Sequence, residues 1–124
     1  MTLTGDAIDP PRLAAFWKRA LGYVDEQEYD FADGAALVDP DGKLPALSFL
    51  KVPEGKTAKN RFHIDIRVVP EGSQVDADQR DELIRARSAE LVAAGATLVQ
   101  ENTWEGRVMG IVMQDPEGNE FCVA

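Results

Sequence analysis

The sequence predicts an α+β fold of two βαβββ modules forming a cupped mixed sheet with helices on the outer face. Three observations predict it. Asp39-Pro40-Asp41-Gly42 and Asp115-Pro116-Glu117-Gly118 are two strong turns of one kind, each before a closing strand. Ala20-Leu21-Gly22 and Ala93-Ala94-Gly95 end two helical patterns in matching places. Phe62 to Val69 alternates apolar with polar residues and opens the second half of the chain. Two copies of one supersecondary unit within 124 residues argue for a pseudo-symmetric sheet that curves around a central cleft. The organisation expected is one domain over residues 1–124, with a first module at 1–59 and a second at 60–124.

The elements follow in order. A short first strand lies around Thr2 to Ile8. Asp9 caps a helix whose first turn holds Pro10 and Pro11, where a missing N–H costs little. Leu13, Phe16, Trp17, Ala20 and Leu21 make its apolar face, and Gly22 ends it. Strands follow at about Tyr23 to Tyr29, Ala35 to Val38 and Ala46 to Val52, with Asp33-Gly34 turning into the second of them. In the second half, Phe62, Ile64, Ile66 and Val68 face one side of a strand, and His63, Asp65 and Arg67 the other. Asp76 or Asp78 starts a helix with Leu83, Ile84, Leu91 and Val92 as its apolar positions, and Gly95 stops it. Strands at about Thr97 to Glu101, Val108 to Met113 and Glu120 to Val123 complete the chain. Gly110 within the seventh strand marks a bulge or the close approach of a neighbour.

Bulk properties exclude several classes. A formal net charge of −9 disfavours nucleic acid and anionic membranes as partners, because both require a basic patch. No apolar run approaches the ~20 residues that span a bilayer. The single cysteine permits no internal disulfide, and a cytoplasmic setting is expected. Met1 to Asp6 has neither the basic stretch nor the apolar core of a secretory signal.

The chemistry-bearing residues cluster in the second half. His63, the only histidine, can ligate a metal, act as a base, or hold a ligand oxygen; otherwise Asp65 or the backbone satisfies its ring. Cys122 is either a soft ligand beside His63, a pair that suits zinc, or a small buried hydrophobe. Two ligands make a poor site, so a third such as Glu120 or Asp65 would be needed. Glu120 is a candidate base if its alternation matches that of Cys122, and otherwise a solvated carboxylate. Lys56, Lys59 and Arg61 form a basic cluster that can meet an anion or simply be solvated. Trp104, in the hairpin Asn102 to Gly106, can cover a ligand or pack on a second subunit. No phosphate-cradling glycine loop, serine–histidine–acid order or paired-cysteine zinc spacing is present.

One ordered set of segments spans nearly the whole chain. It comprises Asp9-Pro10, Leu13-Ala14-Ala15-Phe16-Trp17, Leu21-Gly22-Tyr23, Val52 to Lys56, Lys59 to Asp65, Leu91 to Ala96, and Asp115 to Val123. In this set the sequence resembles the vicinal oxygen chelate superfamily, the glyoxalase, bleomycin-resistance and extradiol-dioxygenase group. More narrowly, it resembles the small bacterial glyoxalase-like domains. The resemblance implies paired βαβββ modules with a ligand in the cup, and often a homodimer. In metal-dependent members, four strand positions supply His and Glu ligands. Here those positions hold Thr2, the stretch Ser48 to Leu50, His63 and Cys122, with Glu120 directly after Asn119. At most two of the four, His63 and Cys122, carry a ligand type, so the usual metal site is incomplete.

Two readings follow. In the first, the cup binds a small polar or anionic organic molecule, as in drug-sequestering bleomycin-resistance relatives. His63 anchors it, with Asp65, Arg67, Arg61, Trp104 and Cys122 as ligand-binding residues and His63 with Glu120 as the catalytic pair if chemistry occurs. In the alternative, a divalent metal (Zn, Ni, Mn or Fe) on His63 and Cys122 serves a lyase, isomerase or dioxygenase. A structural module with an unused cup is a third possibility, which the charges of the fifth strand oppose.

Overall fold

The side chain of Asp9 accepts a hydrogen bond from Arg12 N at 3.3 Å, and Pro10 and Pro11 fill the first two helical positions. This local chemistry starts α1 (Pro10–Leu21), and Gly22, at φ 69°, ends it in the left-handed conformation that glycine adopts without strain. The computed structural model describes residues 1–27 and 33–124, and these fall into two compact units, Met1–Thr57 and Ala58–Ala124. No helix among the described residues is long and apolar enough to cross a membrane.

In the first unit, α1 lies between β1 (Thr2–Ala7) and β2 (Val24–Asp25), followed by β3 (Gly34–Val38) and β4 (Ala46–Lys51). The sheet order is β1-β4-β3-β2, with β1 parallel to β4 and the other pairs antiparallel. Leu13, Phe16 and Trp17 of α1 are buried, as are Leu37, Leu47 and Phe49 of the sheet. The rings of Phe16 and Trp17 meet edge to face at 5.4 Å, so Trp17 is core as its helical spacing requires. β2 is shorter than the expected Tyr23 to Tyr29, and the end of that stretch lies outside the described residues. Tyr23 is buried and donates its hydroxyl proton to the carbonyl of Pro45 at 2.9 Å.

The second unit repeats the order as β5 (Asp65–Ile66), α2 (Ala77–Ala93), β6 (Thr97–Trp104), β7 (Arg107–Gln114) and β8 (Glu120–Val123). Its sheet runs β5-β8-β7-β6, with β5 parallel to β8. The βαβββ unit is thus present twice. Asp76, not Asp78, caps α2. Its carboxylate accepts from Gln79 N at 2.8 Å while the Gln79 side chain accepts from Asp76 N at 3.4 Å, a reciprocal capping box. α2 covers one face of the sheet through Ile84 and Leu91, against Ile111, Met113, Phe121 and Val123, all 1% exposed or less.

Three local expectations need correction. Leu83 and Val92 are 45% and 44% exposed, because each is adjacent in sequence to a residue that faces the sheet. Neighbours on a helix point ~100° apart, so only one of each pair can be core. β5 is two residues long in place of Phe62 to Val69. Its pairing continues only as Cys122 N to Ile64 O, Ala124 N to Ile66 O and Val68 N to Ala124 O. Phe62 lies in a bend before the strand and is 91% exposed. The sixth and seventh strands extend to a two-residue turn at Glu105-Gly106. Both turn residues have positive φ (48° and 77°), which matches the right-handed strand twist. The β6–β7 register shifts between Asn102 and Thr103, opposite Met109 and next to Gly110.

Candidate functional site

The site begins with a turn. Asp115 is 3% exposed, and its carboxylate accepts from Glu117 N (2.9 Å), Asn119 N (3.0 Å) and the Asn119 amide. These bonds aim the chain into β8. Successive side chains of a strand point to opposite faces. Phe121 and Val123 therefore enter the core under α2, and Glu120 and Cys122 share the face that looks away from it. On β5, Ile66 is half-buried and Asp65 is exposed, so His63, Asp65 and Arg67 follow the outward alternation.

The parallel register sets Asp65 directly beside Cys122. His63 Nε2 lies 3.1 Å from Asp65 Oδ1, and both side chains are about half exposed, at 53% and 56%. One ligand atom from each of His63, Asp65 and Cys122 lies within 4.8 Å of the other two. Burial pushes the Cys122 thiol above its ordinary pKa, and the charge of Asp65 and the hydrogen bond the thiol makes to it push the same way. The thiol therefore holds its proton more tightly than a free cysteine does. With Nε2 facing Asp65, Nδ1 is the His63 ring nitrogen left for a ligand.

The remaining candidates are not members of this trio. Glu120 shares the outward face with Cys122, but its carboxylate accepts from Asn60 N at 3.0 Å. The Asn60 amide in turn donates to the Glu120 carbonyl at 3.2 Å. Glu120 thus ties the segment leading to His63 onto β8. Arg61 and Arg67 are exposed, and neither makes an ion pair or hydrogen bond among the described residues. Trp104 is 68% exposed at the far end of β6. The row Asp65, Cys122, Val112, Gln100 crosses the sheet. Trp104 stands four residues beyond Gln100, on the opposite edge strand from β5, so about 19 Å separates it from Asp65 at ordinary strand spacings.

Sequence reasoning missed Asn60, whose clamp on Glu120 no pattern announces. It also missed Gln100 and Asn102, which hydrogen-bond each other at 2.8 Å on β6. Gln100 falls within the expected strand, and alternation puts Asn102 on its side once the strand is extended past Glu101. In the first unit, Thr4 and Ser48 hold the register positions that Asp65 and Cys122 hold in the second. Their hydroxyls hydrogen-bond each other at 2.7 Å. Within each unit the same strand pair therefore joins two polar side chains, but only the second pair is ionisable.

The donor set fits a metal ion. A thiol, an imidazole and a carboxylate together suit zinc. Tetrahedral zinc with ordinary bond lengths needs donor–donor separations of about 3.3 to 3.6 Å. The His63–Asp65 edge already stands at 3.1 Å. The edges to sulfur stand within 4.8 Å, and the half-exposed His63 and Asp65 side chains are the ones with room to move toward it.

The sequence model of a family described as glyoxalase-like domain matches residues 2–124. No curated protein matches significantly. Solved structures do. A glyoxalase/bleomycin resistance protein/dioxygenase family enzyme from Burkholderia phytofirmans superposes with a TM-score of 0.73 at 16% identity, covering 98% of this chain and 94% of that one. A glyoxalase-related enzyme from Fulvimarina pelagi gives 0.67 at 14% identity, covering 99% and 84%. A mutant of the fosfomycin resistance protein FosX from Listeria monocytogenes, complexed with Mn(II) and 1S,2S-dihydroxypropylphosphonic acid, gives 0.68 at 13% identity, covering 99% and 88%. At such identities the likeness is one of fold.

Proposed function

We propose, since this chain belongs to the glyoxalase-like domain family, that it binds a small polar or anionic organic molecule on the outward face of the second unit's sheet. His63 is the anchor. The observation that carries this reading is the convergence of His63, Asp65 and Cys122 within 4.8 Å on a face that α2 leaves open. Core packing does not require these side chains there. Asp65 fixes the imidazole and leaves Nδ1 for a ligand oxygen. Arg67 follows two residues along the same edge, about 6.6 Å further on, with its guanidinium unengaged by the described residues. A ligand with a hydroxyl or carbonyl near His63 and a carboxylate or phosphonate near Arg67 matches that spacing. Glu120 is a positioning residue in this reading, because its carboxylate holds Asn60. The lone free thiol is consistent with a reducing cytoplasm.

The same trio supports a second reading, a divalent-metal site serving lyase, isomerase or dioxygenase chemistry. His63, Asp65 and Cys122 would hold the ion. When bound, such an ion polarises ligand oxygens as a Lewis acid. The Asn60–Glu120 clamp would hold the segment that carries the imidazole, and Arg67 would bind the anionic end of the substrate.

The test is a thermal-shift screen of small hydroxy acids, keto acids and phosphonates, with and without divalent metal. A true ligand at 100 times its Kd stabilises by about 2.7 kcal/mol. That stabilisation should vanish in His63→Ala and weaken in Arg67→Ala, while the unliganded variants melt close to wild type. Ligands that stabilise His63→Ala as well as wild type would place binding elsewhere.

A further inference from the structure

We infer that His63, Asp65 and Cys122 form a thiolate–imidazole–carboxylate site that selects zinc-like, thiophilic cations over manganese. The inference rests on the second reading above and concerns which ion these residues choose. Three features carry it. First, the donors are one sulfur, one nitrogen and one oxygen, with one atom of each within 4.8 Å of the others. Manganese prefers oxygen-rich octahedral surroundings and stands lowest in the divalent affinity order, whereas a thiolate favours zinc. Second, Asp65 and Cys122 are register partners, and His63 stands two residues before Asp65 on the segment that leads into β5. The Asp65–Cys122 register and the backbone bond from Cys122 N to Ile64 O, 2.9 Å, fix Cys122 against the segment that carries the other two. Third, three protein donors with two of them half exposed leave a fourth position open to water or a ligand oxygen. Among the described residues the first unit offers no equivalent, because its matching pair is the hydroxyls of Thr4 and Ser48.

Binding is a simple exchange. The Cys122 thiol gives its proton to solvent, His63 coordinates through a ring nitrogen that carries no proton, and the contacts of Asp65 with the thiol and with His63 Nε2 are replaced by coordination from all three residues. No electrons change hands. The Asn60–Glu120 clamp lies one residue pair from the donors and holds the approach to His63 in place.

The experiment uses the full chain stripped with a chelator, titrated with Zn(II), Mn(II) and Co(II) against a chromophoric competitor. Co(II) also serves as an optical probe, since thiolate ligation gives a near-ultraviolet charge-transfer band. The expected result is one Zn(II) per chain, bound at least ~100-fold more tightly than Mn(II). The cobalt band should be present in wild type and absent in Cys122→Ser, a near-isosteric change that leaves the fold intact by circular dichroism. Cys122→Glu should bring the zinc and manganese affinities closer together. Either of two results overturns the inference: no Zn(II) uptake, or Zn(II) uptake unchanged in Cys122→Ser with no cobalt band. If stripped protein lacks Zn(II) affinity yet binds a small acid in a His63-dependent way, the metal site is refuted and the binding reading stands.

Discussion

Replacing Asp115 with alanine should destabilise the protein by about 2–4 kcal/mol. The carboxylate is 3% exposed and accepts the backbone N–H groups of Glu117 and Asn119 together with the Asn119 side-chain amide. Removing it orphans two backbone donors in a half-buried turn, and each orphaned donor costs about 1–3 kcal/mol, reduced where water can replace the partner. For a chain of this size the loss corresponds to a fall in Tm of roughly 8–16 °C. Asp115→Asn should recover part of it, because the amide oxygen can still accept. The assay is urea and thermal denaturation followed by circular dichroism. The matching Asp39→Ala should cost less: Asp39 accepts from Asp41, Lys43 and Leu44 N at an exposed turn, where water substitutes readily. Asp115→Ala within ~1 kcal/mol of wild type, or Asp39→Ala the more damaging of the two, would refute the claim that the second turn organises β8 from within.

Other predictions concern packing and pH. Phe121→Ala should cost about 3–5 kcal/mol in urea denaturation, since the ring is fully buried under α2; a loss below ~1.5 kcal/mol would mean the site collapses around the gap. Stability should fall as pH rises through the alkaline range. Burial, then the charge of Asp65 and the hydrogen bond to it, raise the Cys122 pKa, and burial followed by the charge of Asp39 raises that of Tyr23. Between the ordinary and the raised pKa the folded state binds more protons than the unfolded, so unfolding free energy declines from about pH 8.5 upward. Urea midpoints from pH 7 to 11 check this. Cys122→Ser should flatten the first part of the decline, and a slope that rises, or one the variant leaves intact, would contradict it.

How much of this was legible in the sequence depends on the range of the interaction. Asp9-Pro10-Pro11, Gly22, and the Asp39 and Asp115 turns act over a few residues, so their chemistry is written in adjacent positions. The double βαβββ order followed from them. The extent of β5 was not legible, because a strand lasts only as long as its partner, and β8 has four residues. The same applies to the site. Alternation placed His63, Asp65 and Arg67 on one side, but the pairing of Asp65 with Cys122 is a register between residues 57 positions apart. The bond from Asn60 N to Glu120 was likewise not legible, because the two residues are 60 positions apart. The exposure of Leu83 and Val92 was within reach, since two adjacent residues cannot both face the core from one helix.

His63 is the only histidine, so its imidazole is a single, unambiguous magnetic resonance probe in the intact protein. The central claim is that ligands arrive at this ring. Ring resonances should be recorded while Zn(II) and the best small acid from the screen are titrated into wild-type protein. The account predicts saturable shifts of the His63 signals that track the stabilisation measured by melting. Stabilisation by either ligand with the His63 ring signals unmoved would contradict it.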